Sequence, residues 1–485
     1  MTISPLFIGR SGSRRALGTL ALVAALAPWR LSASADDPFE TERLAPLARN
    51  AALPGAIAGP CLDTEAMLQS LTLVEAINTA LCRNPRTRQT WASARIAAAQ
   101  LGVARAAELP TIDAELSGQR TETRNVPASG GQTQVSPGTR LNYVLFDFGA
   151  REAGVESARQ SLIAANWIHS ATIQQVLFDT IDAYYRLFAA TENVGATRAA
   201  EESARESFEA AQARLAAGRG TRADLLQAQT AYSQARLNRT RAEGDAATAR
   251  GTLASTLGFD ADRTLALAPP PDLTSQALAR EAVGQLIETA RSRRPDLLAA
   301  QAQVRAAQSN ERAARAQGMP TVSSFASVTA SHSAPGSDPR SGAVGVTVSI
   351  PLFTGYRSTY QVRAAGEQVQ SQIASRDRLA SEIALDVWTA YQTLLTEGQA
   401  YETALDLVVS AQESYRAALA RYKAGVGTLI DVLNAQSSAA SADSQKIQSQ
   451  FNWYISKASL VRALGTLDVD IFSGAAQAPA VQDQR

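Results

Sequence analysis

Apolar residues recur at helical spacing through two very long stretches of this chain. Val176, Leu177, Ile181, Tyr184, Tyr185 and Phe188 set the pattern in the first, and Ile383, Val387, Tyr391, Leu394 and Leu395 in the second. No proline interrupts the chain from Gly138 to Ala268 or from Leu352 to Ala478. Alanine, glutamine, arginine, glutamate and leucine dominate both windows, and all are good helix formers. The pattern predicts one helix from about Gly149 to Ala217 and another from about Gly355 to Ala424, each about 100 Å long at about 1.5 Å per residue. Helices of that length imply a coiled coil or a helical tube rather than an ordinary globular core.

Each long helix ends in Gly-x-Gly-Thr and is followed by a returning helix that closes at Leu257-Gly258 or Leu464-Gly465. Gly218 and Gly425 suit left-handed C-caps, while Thr221 and Thr428 suit the N-caps of the returning helices. A phosphate loop is a poor alternative, because neither copy has a third glycine, a preceding strand or a following lysine. A further helix is expected before each long one, over residues 72–108 and about 282–318.

Between these helices the period changes to two. Val344, Val346, Val348 and Ile350 alternate with Ala343, Gly345, Thr347 and Ser349. Ile112, Ala114, Leu116 and Gly118 alternate with Asp113, Glu115, Ser117 and Gln119, and Leu141, Tyr143 and Leu145 with Arg140, Asn142 and Val144. Residues 321–331 fit the same pattern more weakly. Strands of about ten residues with one apolar face suit a tilted membrane strand, with a soluble hairpin packed on a core as the alternative. Phe146, Phe148, Phe353 and Tyr356 gather where strands meet long helices, as an interfacial girdle would. Four strands leave open edges that lipid cannot satisfy, so closure requires other chains, and three chains would give twelve strands.

The two halves are copies. Arg214 to Gln229 recurs as Arg421 to Gln436, and Ala183-Tyr184 recurs as Ala390-Tyr391 in the same register. Upstream, Asn84-Pro85 matches Arg294-Pro295 and Leu109-Pro110 matches Met319-Pro320 in a register three residues longer. A length-tolerant loop is therefore expected near residues 120–137 and 332–341. The implied organisation is a signal at 1–35, an irregular leader at 36–71 and repeat one at 72–268, with its strand hairpin about 111–147 and helical tip about 214–226. A linker at 269–281 follows, then repeat two at 282–470, with its strand hairpin about 321–353 and tip about 421–433. Residues 471–485 form a flexible tail.

Arg10, Arg14 and Arg15 precede the apolar run Ala16 to Leu26, and Ala33-Ser34-Ala35 supplies a small-residue cleavage site, so the start reads as a secretory signal. That segment holds four arginines and no acids, which takes the net charge from +1 to −3 once it is removed. Neither value points to nucleic acid. Past the signal, no apolar run is long enough for a transmembrane helix. Cys61 and Cys82, in what should be an oxidising compartment, can form a disulfide pinning the leader to the first helix, with two free buried thiols as the alternative. No Walker sequence, zinc-hydrolase motif, nucleophile elbow or cysteine cluster is present, so no catalytic, cofactor or metal site is expected.

Taken together, the Asn84-Pro85 and Arg294-Pro295 sites, the Leu145-Phe-Asp-Phe-Gly149 and Pro351-Leu-Phe-Thr-Gly355 junctions and the two Gly-x-Gly-Thr blocks resemble the TolC family of outer-membrane efflux and secretion channels, over about residues 70–470. The resemblance implies a mainly α fold with a membrane β-barrel, built from two tandem repeats of helix, β-hairpin, very long helix and helix. It implies a homotrimer forming a twelve-stranded β-barrel in the outer membrane and a twelve-helix α-barrel in the periplasm. The implied partners are a periplasmic adaptor, an inner-membrane ABC transporter or proton-driven pump, an exported protein or drug, and outer-membrane lipid.

By the same resemblance, Gly218, Gly220, Thr221, Gly425, Gly427 and Thr428 fall at adaptor-contact tips. Asp224, Tyr422, Asp431 and Asn434 fall at the entrance. Tyr422 and Asp224 match a tyrosine and an aspartate that link tip helices in the family, whereas Gly427 stands where the family has an arginine, so Arg219 or Arg222 is a candidate substitute. Asp431 matches the first of two carboxylates in an acidic ring, and Asn434 replaces the second. Both aspartates also suit the first turn of a helix, where the dipole favours a carboxylate. The leading expectation is an export duct for type I protein (toxin) secretion. Multidrug efflux is the alternative within the class, and a periplasmic coiled-coil scaffold without a channel lies outside it.

Overall fold

The computed structural model describes residues 37–45, 70–123, 130–269, 282–334 and 338–467. The expected signal, most of the leader and the tail, and nearly all of the linker, lie outside these residues. Cys61 does too. Cys82 is disulfide-bonded.

A 3-10 turn at Thr41–Leu44 precedes helices α1 (Leu73–Arg83) and α2 (Pro85–Ala106) and strands β1 (Thr111–Thr123) and β2 (Gly130–Phe146). The long helix α3 (Ala150–Ala216) and the returning helix α4 (Arg222–Leu257) complete the first copy. The second comprises α5 (Val283–Arg293), α6 (Pro295–Ala316), β3 (Thr321–Ala330), β4 (His332–Ala334), β5 (Arg340–Ser349), α7 (Arg357–Lys423) and α8 (Leu429–Ala463). Both long helices contain 67 residues, as the proline-free windows predict.

The single helices expected over 72–108 and 282–318 are each two. Proline has no N–H to donate and drives the residue before it out of the helical region, so Asn84 sits at ψ 128° and Arg294 at ψ 121°. The Asn84 side chain accepts the Arg86 N–H at 2.9 Å and starts a new helix. Each break receives the end of a returning helix. Gly258 closes α4 at φ +83°, and a Cβ there would lie 2.9 Å from the Arg83 carbonyl oxygen. Gly465 follows α8 at φ +72°, where a Cβ would lie 2.8 Å from the Arg294 Cα. Asn84 Nδ2 donates to the Thr256 carbonyl at 2.9 Å across the first joint. The short helices thus stack end to end, α2 on α4 and α6 on α8. With α3 packed against all four, and α7 against α6 and α8, each chain presents four parallel columns.

The largest core lies at the first joint. Tyr184 and Tyr185 are fully buried among Ile77, Leu81, Leu253, Leu257, Phe451 and Tyr454. Leu71 bridges Leu267 in parallel, and the Tyr184 hydroxyl lies 3.0 Å from the Leu71 carbonyl and 2.6 Å from that of Ala268. Burial, reinforced by the charge of Glu75, pushes its pKa up to about 12.

The antiparallel sheet runs β1-β2-β3-β5, with β4 paired to β2. The expected loop at 120–137 and 332–341 is shorter than its predicted span, because residues 120–123 and 130–137 extend β1 and β2 and residues 332–334 pair with β2. Strand β5 ends at Ser349 rather than near Phe353. Register places Ile112, Leu141, Ala326 and Val344 on one face and Asp113, Arg140, Ser327 and Ala343 on the other. A bulge between Val144 and Phe146 breaks the simple alternation through Leu145 and brings Phe146 opposite Val322 on the apolar face. On the polar face Phe325 lies over Gly345, where any Cβ would meet its ring at 2.9 Å.

Candidate functional site

The lower end of the molecule is a pair of helical hairpins. Gly218 and Gly425 take φ +68° and +79°, and the following residues donate back to Arg214 and Arg421 at 2.9 and 3.0 Å. These are Schellman caps, which place the required glycine one position past each helix. Space around both glycines is open, whereas a Cβ on Gly220 or Gly427 would lie 3.1 Å from the backbone nitrogen of Leu215 or Tyr422. The second glycine of each block therefore answers a close approach within its own hairpin.

Thr221 and Thr428 then start α4 and α8 with full capping boxes. Asp224 accepts the Thr221 N–H at 3.2 Å and Asp431 that of Thr428 at 3.2 Å, while each threonine hydroxyl accepts the N–H of its aspartate. The Thr428 hydroxyl and N–H hold the Asp431 carboxyl below the usual carboxylate range, with a smaller contribution from Arg421. Asp431 and Asn434 are both exposed one turn apart on α8. Tyr422 belongs to the cluster that joins the hairpins, with Phe208, Ala211, Ala228, Leu429 and Leu433. Its ring lies 4.6 Å from the guanidinium carbon of Arg214. Within this chain the arginine that meets Tyr422 is Arg214, and Asp224 is engaged in its own cap. Arg214 heads the duplicated block, so its signal was in the sequence, but nothing there pairs it with Tyr422.

Above the tips, α3, α4 and α8 enclose a groove of about 560 Å³ lined largely by small residues such as Ala200, Ala231, Ser437 and Ala440. The Gln436 side chain borders it with its Nε2 buried and unpartnered. Sequence inspection missed this donor, because the matching Gln229 is exposed and a glutamine in a polar helix carries no signal.

At the other end, Phe146, Phe148, Phe353 and Tyr356 are all more than half exposed or close to it. Phe146 and Phe148 meet edge to face at 4.8 Å, as do Phe353 and Tyr356 at 5.6 Å. Phe148 at φ +53° and Tyr356 at φ +62° hold left-handed conformations that cost a non-glycine residue energy. They lie at the turns from the sheet into the long helices. Among the described residues, no helix is long and apolar enough to cross a membrane, and no group of three His, Cys, Asp or Glu could hold a metal.

A family model described as outer membrane efflux protein matches residues 76–259 and 286–466, one match for each copy. This chain belongs to the outer membrane efflux protein family. It is 33% identical over 388 residues to Protein CyaE of Bordetella pertussis, covering 79% of this chain and 81% of that protein. It is 26% identical over 420 residues to outer membrane efflux protein BepC of Brucella suis, covering 85% and 89%. The crystal structure of outer membrane protein VceC from Vibrio cholerae superposes with a TM-score of 0.73 at 22% identity, over 81% of this chain and 96% of that one. The expected architecture, a mainly α chain with two repeats and a β-barrel portion that three copies close into a trimeric channel, is the architecture of the efflux protein family. Its relatives are channels, not enzymes.

Proposed function

We propose that this protein is the outer-membrane exit duct of an export complex, carrying substrate from an inner-membrane transporter and periplasmic adaptor across the periplasm and outer membrane, in type I secretion of a protein toxin. The observation that carries this reading is one continuous object: a sheet whose apolar face is exposed, joined to two 67-residue helices that extend about 100 Å from it. A soluble scaffold has no use for Ile112, Leu116, Val344 and Val346 in water, at 63 to 86% exposure. Among the described residues the sheet's β1 and β5 edges have no strand partner, and three copies of its four-strand path close a barrel of about twelve strands. The 33% identity to CyaE favours secretion, while the name of BepC, an outer membrane efflux protein, keeps efflux as the second reading.

Gly218, Gly220, Thr221, Gly425, Gly427 and Thr428 form the adaptor-contact tips, and the small-residue groove with its Gln436 donor admits adaptor backbone beside them. Asp431 forms a single ring of three carboxylates at the entrance, with Asn434 neutral above it, and the Arg214–Tyr422 contact holds the two hairpins together. Phe146, Phe148, Phe353 and Tyr356 form the interfacial girdle. The test is planar-bilayer conductance of purified trimers with a trivalent cation. Wild type should show single-channel current with partial block, and Asp431→Asn should relieve the block. Thr428→Ala serves as control, since it removes the cap and keeps the charge. No current, or equal block in wild type and Asp431→Asn, would overturn the proposal.

A further inference from the structure

A cavity of about 700 Å³ opens where the barrel meets the helical columns, bounded by α2, the first turns of α3 and the end of α6. Phe148 forms part of its wall and touches Phe146, whose bulge puts it on the lipid-facing side of the sheet. The Phe146–Phe148 pair, 4.8 Å between ring centroids, thus links the cavity wall to the apolar face of the sheet. Its polar lining comprises three arginines, Arg105, Arg159 and Arg312, and three glutamates, Glu108, Glu152 and Glu156.

These six charges are not a closed network. Arg159 reaches Glu156 at 3.3 Å with the arginine half exposed, Arg105 donates to the Phe39 carbonyl at 2.9 Å and Arg312 to the Ser309 hydroxyl at 2.8 Å. Glu108 and Glu152 make no ion pair among the described residues. A helix dipole accounts for Glu152 alone. The second copy shows that the set is not a property of the repeat: Gly318, Thr359, Arg363 and Gly366 stand at the positions of Glu108, Glu152, Glu156 and Arg159.

We propose that this cavity binds the headgroup of a zwitterionic aminophospholipid, one per protomer, on the periplasmic side of the membrane. Guanidinium groups suit a phosphate diester, which they meet with paired donors. A primary ammonium a few ångströms further along the headgroup then falls among the carboxylates, and the acyl chains leave past Phe148 onto the apolar face of the sheet. Both signs of charge are used, so the site discriminates against anionic lipids that carry the phosphate without the ammonium. The inference rests on the membrane placement proposed above.

Native mass spectrometry of the purified trimer in detergent, after incubation with phosphatidylethanolamine or phosphatidylglycerol, tests it. Wild type should retain phosphatidylethanolamine at least about fivefold better, the factor that about 1 kcal/mol supplies. Glu152→Gln with Glu156→Gln should abolish the preference and leave phosphatidylglycerol retention in place, whereas Arg159→Gln with Arg312→Gln should weaken both lipids. Inorganic phosphate in excess should not displace the bound lipid. Equal retention of the two lipids by wild type, or a preference unchanged in the glutamate variant, would overturn the site. Conductance of the same variants is the control that separates it from the duct function, since a folded channel that lacks lipid preference refutes only the site.

Discussion

Tyr184 shows how one residue joins sequence to architecture. It is fully buried, and its hydroxyl ties the segments at Leu71 and Ala268 to the long helix α3. Its neutral form is the one the fold stabilises, because burial raises its pKa from 10.0 to about 12. The stabilising contribution is therefore complete below pH 10 and is lost as pH rises through about 12. Tyr184→Phe should cost about 1–2 kcal/mol at neutral pH by taking the hydroxyl donor from the Ala268 carbonyl, while the Leu71 carbonyl keeps the Ala268 N–H at 2.9 Å. Its thermal unfolding temperature should also fall less steeply than that of wild type between pH 10 and 12. Equal alkaline slopes would show that the hydroxyl does not hold the joint. The sequence marked Tyr184 as a core position by helical spacing and by its match to Tyr391, but the bond partners lie more than 80 residues away on either side and have no local signature.

The paired hairpins have long helices of equal length and are unequal in how they are held. Arg239 binds Glu201 and, at 2.7 Å, Glu243, which Arg198 also reaches at 2.8 Å, so α3 and α4 are clamped by a four-charge network. The matching faces of α7 and α8 meet through Ala411, Ala439 and Ala442, with a bond from Gln412 to Asp443 at 3.1 Å. Exposed pairs contribute little singly, but a network sharing one arginine resists independent opening. Arg239→Gln, or raised salt, should speed amide exchange by about twofold to fivefold around residues 198–243 and leave residues 404–443 unchanged. Uniform acceleration of both hairpins would remove the asymmetry. The elements themselves were legible, because a proline-free window, a Gly-x-Gly-Thr block and a period of two each have a local cause. The breaks at Pro85 and Pro295 also had one, in the rule that a residue before proline leaves the helix, but the helical composition on both sides masked it. The extra strand β4 had none, since its three residues become a strand only by pairing with β2.

For the whole molecule, the sheet's two faces must meet different solvents, and this can be tested without knowing the cargo. Val344 is 86% exposed in the chain on the face shared with Ile112 and Leu141, near the middle of β5, while Thr347 lies on the opposite face with Ser323. If three chains close the barrel, the first face meets hydrocarbon and the second lines water. Val344→Arg should destabilise the inserted trimer by about 2–4 kcal/mol, the cost of an arginine near the bilayer midplane, and should lower the yield of heat-resistant trimer in the outer-membrane fraction. Thr347→Arg should leave assembly intact and shift the channel's reversal potential under a salt gradient toward anion preference, because each trimer gains three lumenal charges. The opposite assignment predicts the opposite pair of outcomes. Moving the charge by three residues thus exchanges a folding defect for a change in permeation, a contrast that a soluble scaffold with the same sheet would not produce.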